Sequence, residues 1–452
     1  MCARSVHNPR SAIVQNERMS AGAPEVVLEQ LRHLPGGEAL LDVAAGRGDV
    51  ELVGGAVRDL LLGRTPRELD VVADDALPLA QKLAASSIGA LAGENPDESF
   101  ESTFHERFRT ARVWWKAGRI DIATRRSESY SADGALPDVA KGSPENDLAR
   151  RDFTINAIAV PLGGPNRGKL RAVRHALDDL AQCRLRALHV RSFLEDPTRL
   201  LRLARYKARL GFEVEPGTAA LAREAITTGA LGTVSGARIG AELRLALAED
   251  DAVASLAAMD DLGLLGALHP RLRFEERAAR ATLVLLPEDG RSDLVLLASL
   301  LLPLALCAGD DPRTEIVALL DRWDFPGADR DRVAAATVAV PRLIEELPAA
   351  ERPSVLRAIA AGVPLEGVAL AGALGAQESA SRWLENTRQI HLDITGDDLL
   401  MAGVPEGPEI GRRLEAVLEL RLDGRLPDGR EAELQAALGL PMPEENGAGG
   451  LA

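Results

Sequence analysis

Val53-Gly-Gly-Ala-Val-Arg-Asp-Leu-Leu-Leu-Gly63, followed at once by Arg64-Thr-Pro-Arg-Glu-Leu-Asp-Val-Val72, sets the architecture of this chain. A glycine pair opens a short amphipathic helix, a turn with Pro66 follows, and the chain enters a strand carrying Glu68 and Asp70. Successive side chains of a strand alternate between its faces, so residues two apart share one. Glu68 and Asp70 therefore point the same way, toward whatever the glycine-opened helix start holds. Small residues at a helix N-terminus suit a phosphate chain, and two carboxylates on one face suit a divalent cation bound to it. The stretch reads as a site for a nucleoside triphosphate with Mg²⁺.

Outward from this point the pattern is mixed α and β. Strands are expected at 51–53, 69–73, 110–115 and 119–123, the last two rich in β-branched or aromatic residues, with helices at 56–62 and 77–85. Upstream lies a polar leader with one helix near 24–34. Beyond about Leu177 the apolar period becomes 3.6 almost everywhere, as in 198–210, 237–247 and 294–306, and a final element from Ile394 to Leu438 holds two helical segments around a Gly/Pro-rich turn. The Gly/Glu/Pro-rich end from Pro441 is expected to be disordered.

At 452 residues the chain exceeds one compact core, and the abundance of Ala, Leu and Arg with only 3% aromatics favours helices. The net charge of −15 argues against nucleic acid only on average: residues 141–210 carry 15 Lys and Arg against 7 Asp and Glu. A local excess of that size is the footprint of a polyphosphate or RNA site. Three cysteines without metal-ligand spacing speak against a disulfide framework or zinc. The apolar run 294–309 contains Pro303 and is shorter than the ~20 residues that span a bilayer, so it reads as a buried helix. No apolar segment marks the first 20 residues as a signal peptide, and a soluble cytoplasmic protein is expected.

Further segments carry charge in unusual places. Arg119-Ile-Asp-Ile-Ala-Thr-Arg125 is a strand with one acid, which alone reads as an exposed edge position. In Asp147-Leu-Ala-Arg-Arg-Asp-Phe-Thr-Ile-Asn-Ala157, Arg150 reads as part of a solvated face, whereas Arg151, Asp152 and Asn156 alternate with apolar residues that dock on the head. Glu195-Asp-Pro-Thr-Arg-Leu-Leu-Arg202 places Asp196, Arg199 and Arg202 along one helix face, although helix capping by Asp196 explains the octapeptide about as well. Val234–Leu243 and the segment from Asp179 to Arg186 look structural, and Ile394–Leu400 and Gly403–Gly411 punctuate the last element.

Together these segments resemble the class II CCA-adding tRNA nucleotidyltransferases and bacterial poly(A) polymerases, within the DNA polymerase β-like nucleotidyltransferases. The resemblance is close over about 51–247 and clear over 394–438, and the opening pair departs from the usual Asp-x-Asp in having Glu68 first. It implies an α+β head, with a small mixed sheet and helices, followed by an all-α neck, body and tail. The expected division is a leader at 1–45, head at 46–176, neck at 177–250, body at 251–389, tRNA-holding tail at 390–440 and disordered end at 441–452. The glycine-rich turn expected before Asp179 is replaced by Val173-Arg-His-Ala-Leu177, and the family-like segment His105–Ala111 is given no chemistry.

The resemblance also implies roles. Glu68, Asp70 and Asp121 hold the metals, with Asp121 helping to activate the primer 3′-hydroxyl. Gly54, Gly55, Arg58 and Asp59 shape the triphosphate site. Arg151 contacts nucleotide phosphate, while Asp152 and Asn156 contact ribose or order the site. Asp196 and Arg199 pair with the incoming base, and Arg202 belongs to the same nucleotide set. Cytosine and adenine both present an amine beside a ring-nitrogen acceptor, so a carboxylate and a guanidinium accept them, whereas uracil and guanine fail both contacts. The implied activity is Mg²⁺-dependent addition of CMP and/or AMP from CTP and ATP to tRNA 3′ ends, with release of pyrophosphate. Poly(A) addition and split CC-only or A-only addition share every motif; an inactive RNA-binding homologue is favoured only by Glu68.

Overall fold

The computed structural model describes residues 24–90, 101–105, 109–115, 118–306 and 311–441. Two compact units emerge, one ending at Leu268 and the other beginning at His269.

In the first unit the strands are β1 (Glu51–Val53), β2 (Leu69–Ala73), β3 (Glu101–His105), β4 (Thr110–Trp115), β5 (Gly118–Thr124), β6 (Arg126–Ser129), β7 (Asp138–Lys141), β8 (Ile158–Pro161), β9 (Arg171–Ala172) and a short parallel pair, β10 (Arg184–Leu185) and β11 (Glu213–Val214). Among the described residues seven of them form one mixed sheet in the order β3-β4-β5-β2-β1-β8-β9, while β6 and β7 make a separate hairpin. The β2–β5 pair is parallel, running from Leu69 opposite Ile120 to Ala73 opposite Thr124, and the other neighbours are antiparallel. Parallel pairing requires a long crossover, which the helix Ala76–Ala90 and strands β3 and β4 supply.

Strand alternation divides the sheet cleanly. Ile120 and Ile122 of β5, Ala111, Val113 and Trp115 of β4, and Leu69 and Val71 of β2 are buried, and the helix Ala76–Ala90 packs on all three strands. Each large apolar side chain so removed from water contributes roughly 1.5–3 kcal/mol before entropy is subtracted. The opposite face carries Asp70, Arg112, Trp114, Arg119 and Asp121. Part of that face is closed where Leu148 packs with Val53, Val72, Ala157 and Ala159; among the described residues the β2–β5–β4 part borders a groove.

Residues 24–44, expected within a separate leader, instead build the head. Helix Pro24–Arg32 packs on the helix Gly55–Leu61, and a second helix, Gly37–Ala44, packs on Ala76–Ala90 with Leu40, Leu41 and Ala44 buried. Eight residues give too short a period to announce that second helix in sequence. His175, in the stretch that replaces the expected glycine-rich turn, holds φ = 69° as a non-glycine residue. Helices Thr198–Leu210, Gly236–Leu247 and Ala252–Asp261 pack on one another, so packing continues past the expected neck boundary at 250.

In the second unit, helix Ser292–Leu306 is buried along most of its length despite Pro303 and packs on Gly327–Glu346 and Leu365–Ala371. The last element has three helices, Gly396–Met401, Pro408–Leu422 and Arg430–Leu438, rather than two; they close over Ile394, Leu399, Val404, Val417 and Ala437. The extra helix is six residues long and is announced by a capping box between Thr395 and Asp398, not by periodicity. The expected disordered end and most of the leader fall outside the described residues, as do residues 106–108 of the His105–Ala111 segment. Among the described residues no single helix is long and apolar enough to cross a membrane.

Candidate nucleotide and metal site

Strand register brings the three acids together. Asp70 lies directly opposite Asp121 on the parallel β2–β5 pair, and Glu68 precedes β2 by one residue on the same face. Glu68, Asp70 and Asp121 each offer a carboxylate oxygen within 4.8 Å of the others. Two guanidiniums balance them. Arg112, opposite Asp121 on β4, donates from Nε at 2.5 Å and Nη2 at 3.2 Å, while Arg119 pairs with Glu68 and lies 3.3 Å from Asp121. Asp70 sits on the floor of the cleft. Burial pushes its carboxyl up to about 6 and nearby Asp121 adds to this, against the opposing pull of Arg151. Three hard oxygen donors, partly open to solvent, fit a divalent cation.

Gly54 joins β1 to the helix Gly55–Leu61. Its backbone sits at φ 69°, ψ −133°, which only glycine adopts readily, and a Cβ there would meet Arg151 Nη1 at 2.5 Å. Gly55 lines the cavity, and a Cβ there would reach Arg58 Nη2 at 3.4 Å. Arg58 and Asp59, a turn further on, are buried and bond to each other at 2.8 Å. Arg58 also donates to the Asn156 side-chain oxygen at 2.6 Å, the Asn156 amide donates to Asp152 at 3.0 Å, and Arg58 stacks over Tyr206 at 5.5 Å. This chain of hydrogen bonds fixes the Asn156 flip, because the oxygen faces a donor and the nitrogen an acceptor.

Arg151, Asp152, Asn156, Asp196, Arg199 and Arg202 all line one cavity of about 320 Å³ that also reaches Gly55 and Asp70. Arg58, Asp59 and Glu68 line an adjoining cavity of about 290 Å³, again with Gly55 and Asp70. Asp121 lines neither; it faces a larger groove across β4 and β5. The sequence-derived residues thus gather around Asp70, in three connected spaces.

Asp196 and Arg199 are both almost fully buried. Asp196 Oδ1 accepts from the Thr198 amide at 3.1 Å, from the Thr198 hydroxyl at 2.5 Å and from Arg238 at 2.7 Å, so one oxygen is held in the turn that precedes the helix Thr198–Leu210, whose N-cap is Pro197. Its Oδ2 lies 3.9 Å from Arg199 Nε and from Arg202 Nη2, too far for a hydrogen bond. Arg199 spends Nη1 on Ser192 Oγ (2.8 Å) and Nη2 on the Arg150 carbonyl (2.9 Å), and its buried Nε has no hydrogen-bond partner among the described residues. An acceptor and a donor are therefore held side by side in a desolvated wall. Burial opposes the charge of Arg202, but Glu242, Asp152 and Asp196 more than offset it and raise its pKa.

Sequence reading missed several partners. Arg150 is not a solvated surface arginine: it bonds Asp147 at 2.7 Å and Glu128 at 3.0 Å and borders the cavity. Asp147, buried, binds Arg150 and Arg151; burial alone would raise its pKa, and the two arginines hold it below the ordinary range. The Val234–Leu243 segment supplies Arg238 to Asp196 and Glu242 to Arg202 (2.6 Å) and Arg205 (3.2 Å), so it braces the site directly. Its signal was present as two charges four apart on an otherwise apolar helix. Asp179 behaves as expected of a structural residue, binding Arg186 at 2.9 Å and Thr154 at 2.8 Å.

A mixed sheet presenting an acid trio beside a buried, arginine-rich nucleotide-sized cavity has the layout of a polymerase β-like nucleotidyltransferase head. Residues 50–186 match the family described as Poly A polymerase head domain, and residues 211–275 match Probable RNA and SrmB- binding site of polymerase A. The chain is 32% identical to the CC-adding tRNA nucleotidyltransferase of Deinococcus radiodurans, over 86% of this chain and 90% of that one. It belongs to the family of class II CCA-adding tRNA nucleotidyltransferases and bacterial poly(A) polymerases. Identity is also 32% to the A-adding tRNA nucleotidyltransferase of Geobacter sulfurreducens, over 94% of this chain. The chain spans half or less of the length of the A-adding relatives it matches, 49% in the Geobacter case. The fold superposes on the Thermotoga maritima CCA-adding enzyme complexed with tRNA with a TM-score of 0.71, at 25% identity, covering 92% of this chain and 98% of that one.

Proposed function

We propose that the chain adds CMP and/or AMP, taken from CTP and ATP, to the 3′ end of tRNA and releases pyrophosphate. The observation that carries this reading is the buried Arg199 Nε, without a hydrogen-bond partner among the described residues, 3.9 Å from Asp196 Oδ2 in the wall of the cavity that reaches Asp70. A carboxylate oxygen receives the exocyclic amine of cytosine or adenine, and the guanidinium N–H donates to the neighbouring ring nitrogen. Uracil and guanine put a carbonyl against Asp196 and an N–H against Arg199, leaving buried polar groups unmatched.

Within this reading Glu68, Asp70 and Asp121 hold Mg²⁺, which supplies charge neutralisation at the reacting phosphate and lowers the pKa of the attacking hydroxyl. Arg151 binds the triphosphate beside Gly54 and Gly55, and Arg58 and Asp59 act as the buried scaffold that orients Asn156. Asp152 and Asn156 meet the ribose, and Arg202 steadies Asp196. The tRNA 3′-oxygen forms the new bond to the α-phosphorus as the bond to the β-phosphate oxygen breaks. Residues 46–176, with the helices of 24–44 packed on them, serve as head, 177–268 as neck, 269–389 as body and 390–440 as the tRNA-holding tail. A tRNA substrate implies work in the cytoplasm. Support comes from relatives named as A-adding, CC-adding and multifunctional CCA enzymes, and from the Thermotoga complex with tRNA. Competition among the four labelled nucleoside triphosphates for the free protein tests the base-reading pair: CTP or ATP must bind at least tenfold more tightly than UTP and GTP, and equal binding of all four removes the reading.

A further inference from the structure

The groove across β4 and β5 has a volume of about 1160 Å³ and is the space that Asp121 faces. It shares Asp70, Arg150 and Arg151 with the nucleotide cavity, so the two spaces meet at the acids. In-line phosphoryl transfer puts the attacking oxygen and the departing pyrophosphate on opposite sides of the phosphorus. With base and ribose held on the Asp196 side, the attacking end of the acceptor strand has to arrive through the groove.

The groove carries an aromatic that the core does not need. On β4 the adjacent tryptophans point to opposite faces: Trp115 is 8% exposed on the helix side, while Trp114 is half-buried on the face that carries the acids. Trp114 lies opposite Arg119, and Arg112 lies opposite Asp121. Trp114 is thus diagonal to Asp121, a separation of roughly 7–8 Å between side-chain origins in an antiparallel pair, which one nucleoside spans. Arg112 and Arg119, ion-paired with Asp121 and Glu68, are half-exposed beside it along the same wall. An indole face flanked by guanidiniums is the combination that holds single-stranded nucleotides without reading their sequence.

We infer that this groove seats the 3′-terminal nucleotide of the acceptor RNA, its base stacked on Trp114 and its backbone drawn by Arg112 and Arg119. The inference rests on the proposed transfer to RNA ends and adds the residue that positions the acceptor. Sequence tolerance is what such a seat requires, because the terminal base changes with each addition.

The test uses the full chain and a tRNA ending just before CCA whose last nucleotide is 2-aminopurine, a base whose fluorescence is quenched by stacking. Trp114→Phe keeps an aromatic face; Trp114→Leu keeps apolar bulk without one. Wild type and Trp114→Phe are expected to quench the probe. Trp114→Leu should leave it bright and raise the KM for tRNA about five- to hundredfold, with the KM for CTP and ATP within twofold of wild type. Unchanged quenching and unchanged tRNA KM in a folded Trp114→Leu protein would overturn the inference. Failure of wild type to extend any tRNA overturns the transfer reading itself, and is seen before any variant is compared.

Discussion

Replacing Gly54 by alanine tests the junction between β1 and the helix Gly55–Leu61 at one atom. At φ 69°, ψ −133° an L-residue is strained by about 1–3 kcal/mol. The new methyl also meets Arg151 Nη1 at 2.5 Å, so the guanidinium must shift away from the Asn156 carbonyl, to which it now donates at 3.5 Å. Tm falls by roughly 2–4 °C per kcal/mol in units of 150–250 residues, giving an expected drop of about 2–12 °C. The displaced Arg151 weakens triphosphate binding as well; loss of one charged hydrogen bond is worth about 1.5–3 kcal/mol, or roughly 10–150-fold in Kd. Thermal melts and equilibrium dialysis with ATP and CTP measure both. The decisive comparison is with the monophosphates: CMP and AMP should lose less affinity than CTP and ATP. An unchanged Tm together with unchanged triphosphate binding would refute the assigned backbone geometry and the contact with Arg151.

Three other outcomes follow from the same geometry. Arg199→Ala and Asp196→Ala should each raise UTP or GTP misincorporation relative to CTP and ATP by about one to two orders of magnitude; four-nucleotide competition assays read this, and an unmoved ratio in both variants returns the pair to a structural role at the turn. Arg238→Leu frees Asp196 Oδ1 from its 2.7 Å partner, so the KM for CTP and ATP should rise about tenfold or more while tRNA affinity holds; a variant with wild-type nucleotide KM would show that Asp196 is held by Thr198 alone. Because burial pushes Asp70 up to about 6, protons compete with the cation only below that pH. Mn²⁺ affinity measured by calorimetry should be flat above pH 6 and fall about tenfold per unit below it, and a profile that breaks near pH 4 would contradict the buried placement of Asp70.

Local signals in the sequence carried much of the head. The Gly-Gly pair, the alternation in 69–73 and 119–123, and the acid spacing are properties of a few neighbouring residues, and the strands and acids lie where those properties put them. What could not be read was long-range. That Asp121 stands directly opposite Asp70 depends on a parallel pairing across some fifty residues, and no local pattern specifies it. Arg112, Arg150 and Arg238 escaped because a charged residue looks solvated until its partner folds onto it: Arg150 beside Glu128 and Asp147, Arg238 beside Asp196. Asp196 shows the opposite case. Capping and base reading were rival explanations of one octapeptide; the N-cap is Pro197, and Asp196 gives one carboxylate oxygen to the turn at Thr198 and holds the other beside Arg199.

The most direct measurement incubates the purified chain with tRNA lacking its 3′ CCA, Mg²⁺, and labelled CTP and ATP separately and together, alongside Asp70→Asn. The account predicts incorporation of C, of A or of both at the tRNA 3′ end, one pyrophosphate released per nucleotide, and none of it with Asp70→Asn, whose melt should stay near wild type. Full incorporation by Asp70→Asn, or none by wild type with any tRNA end that lacks C or A, would contradict it.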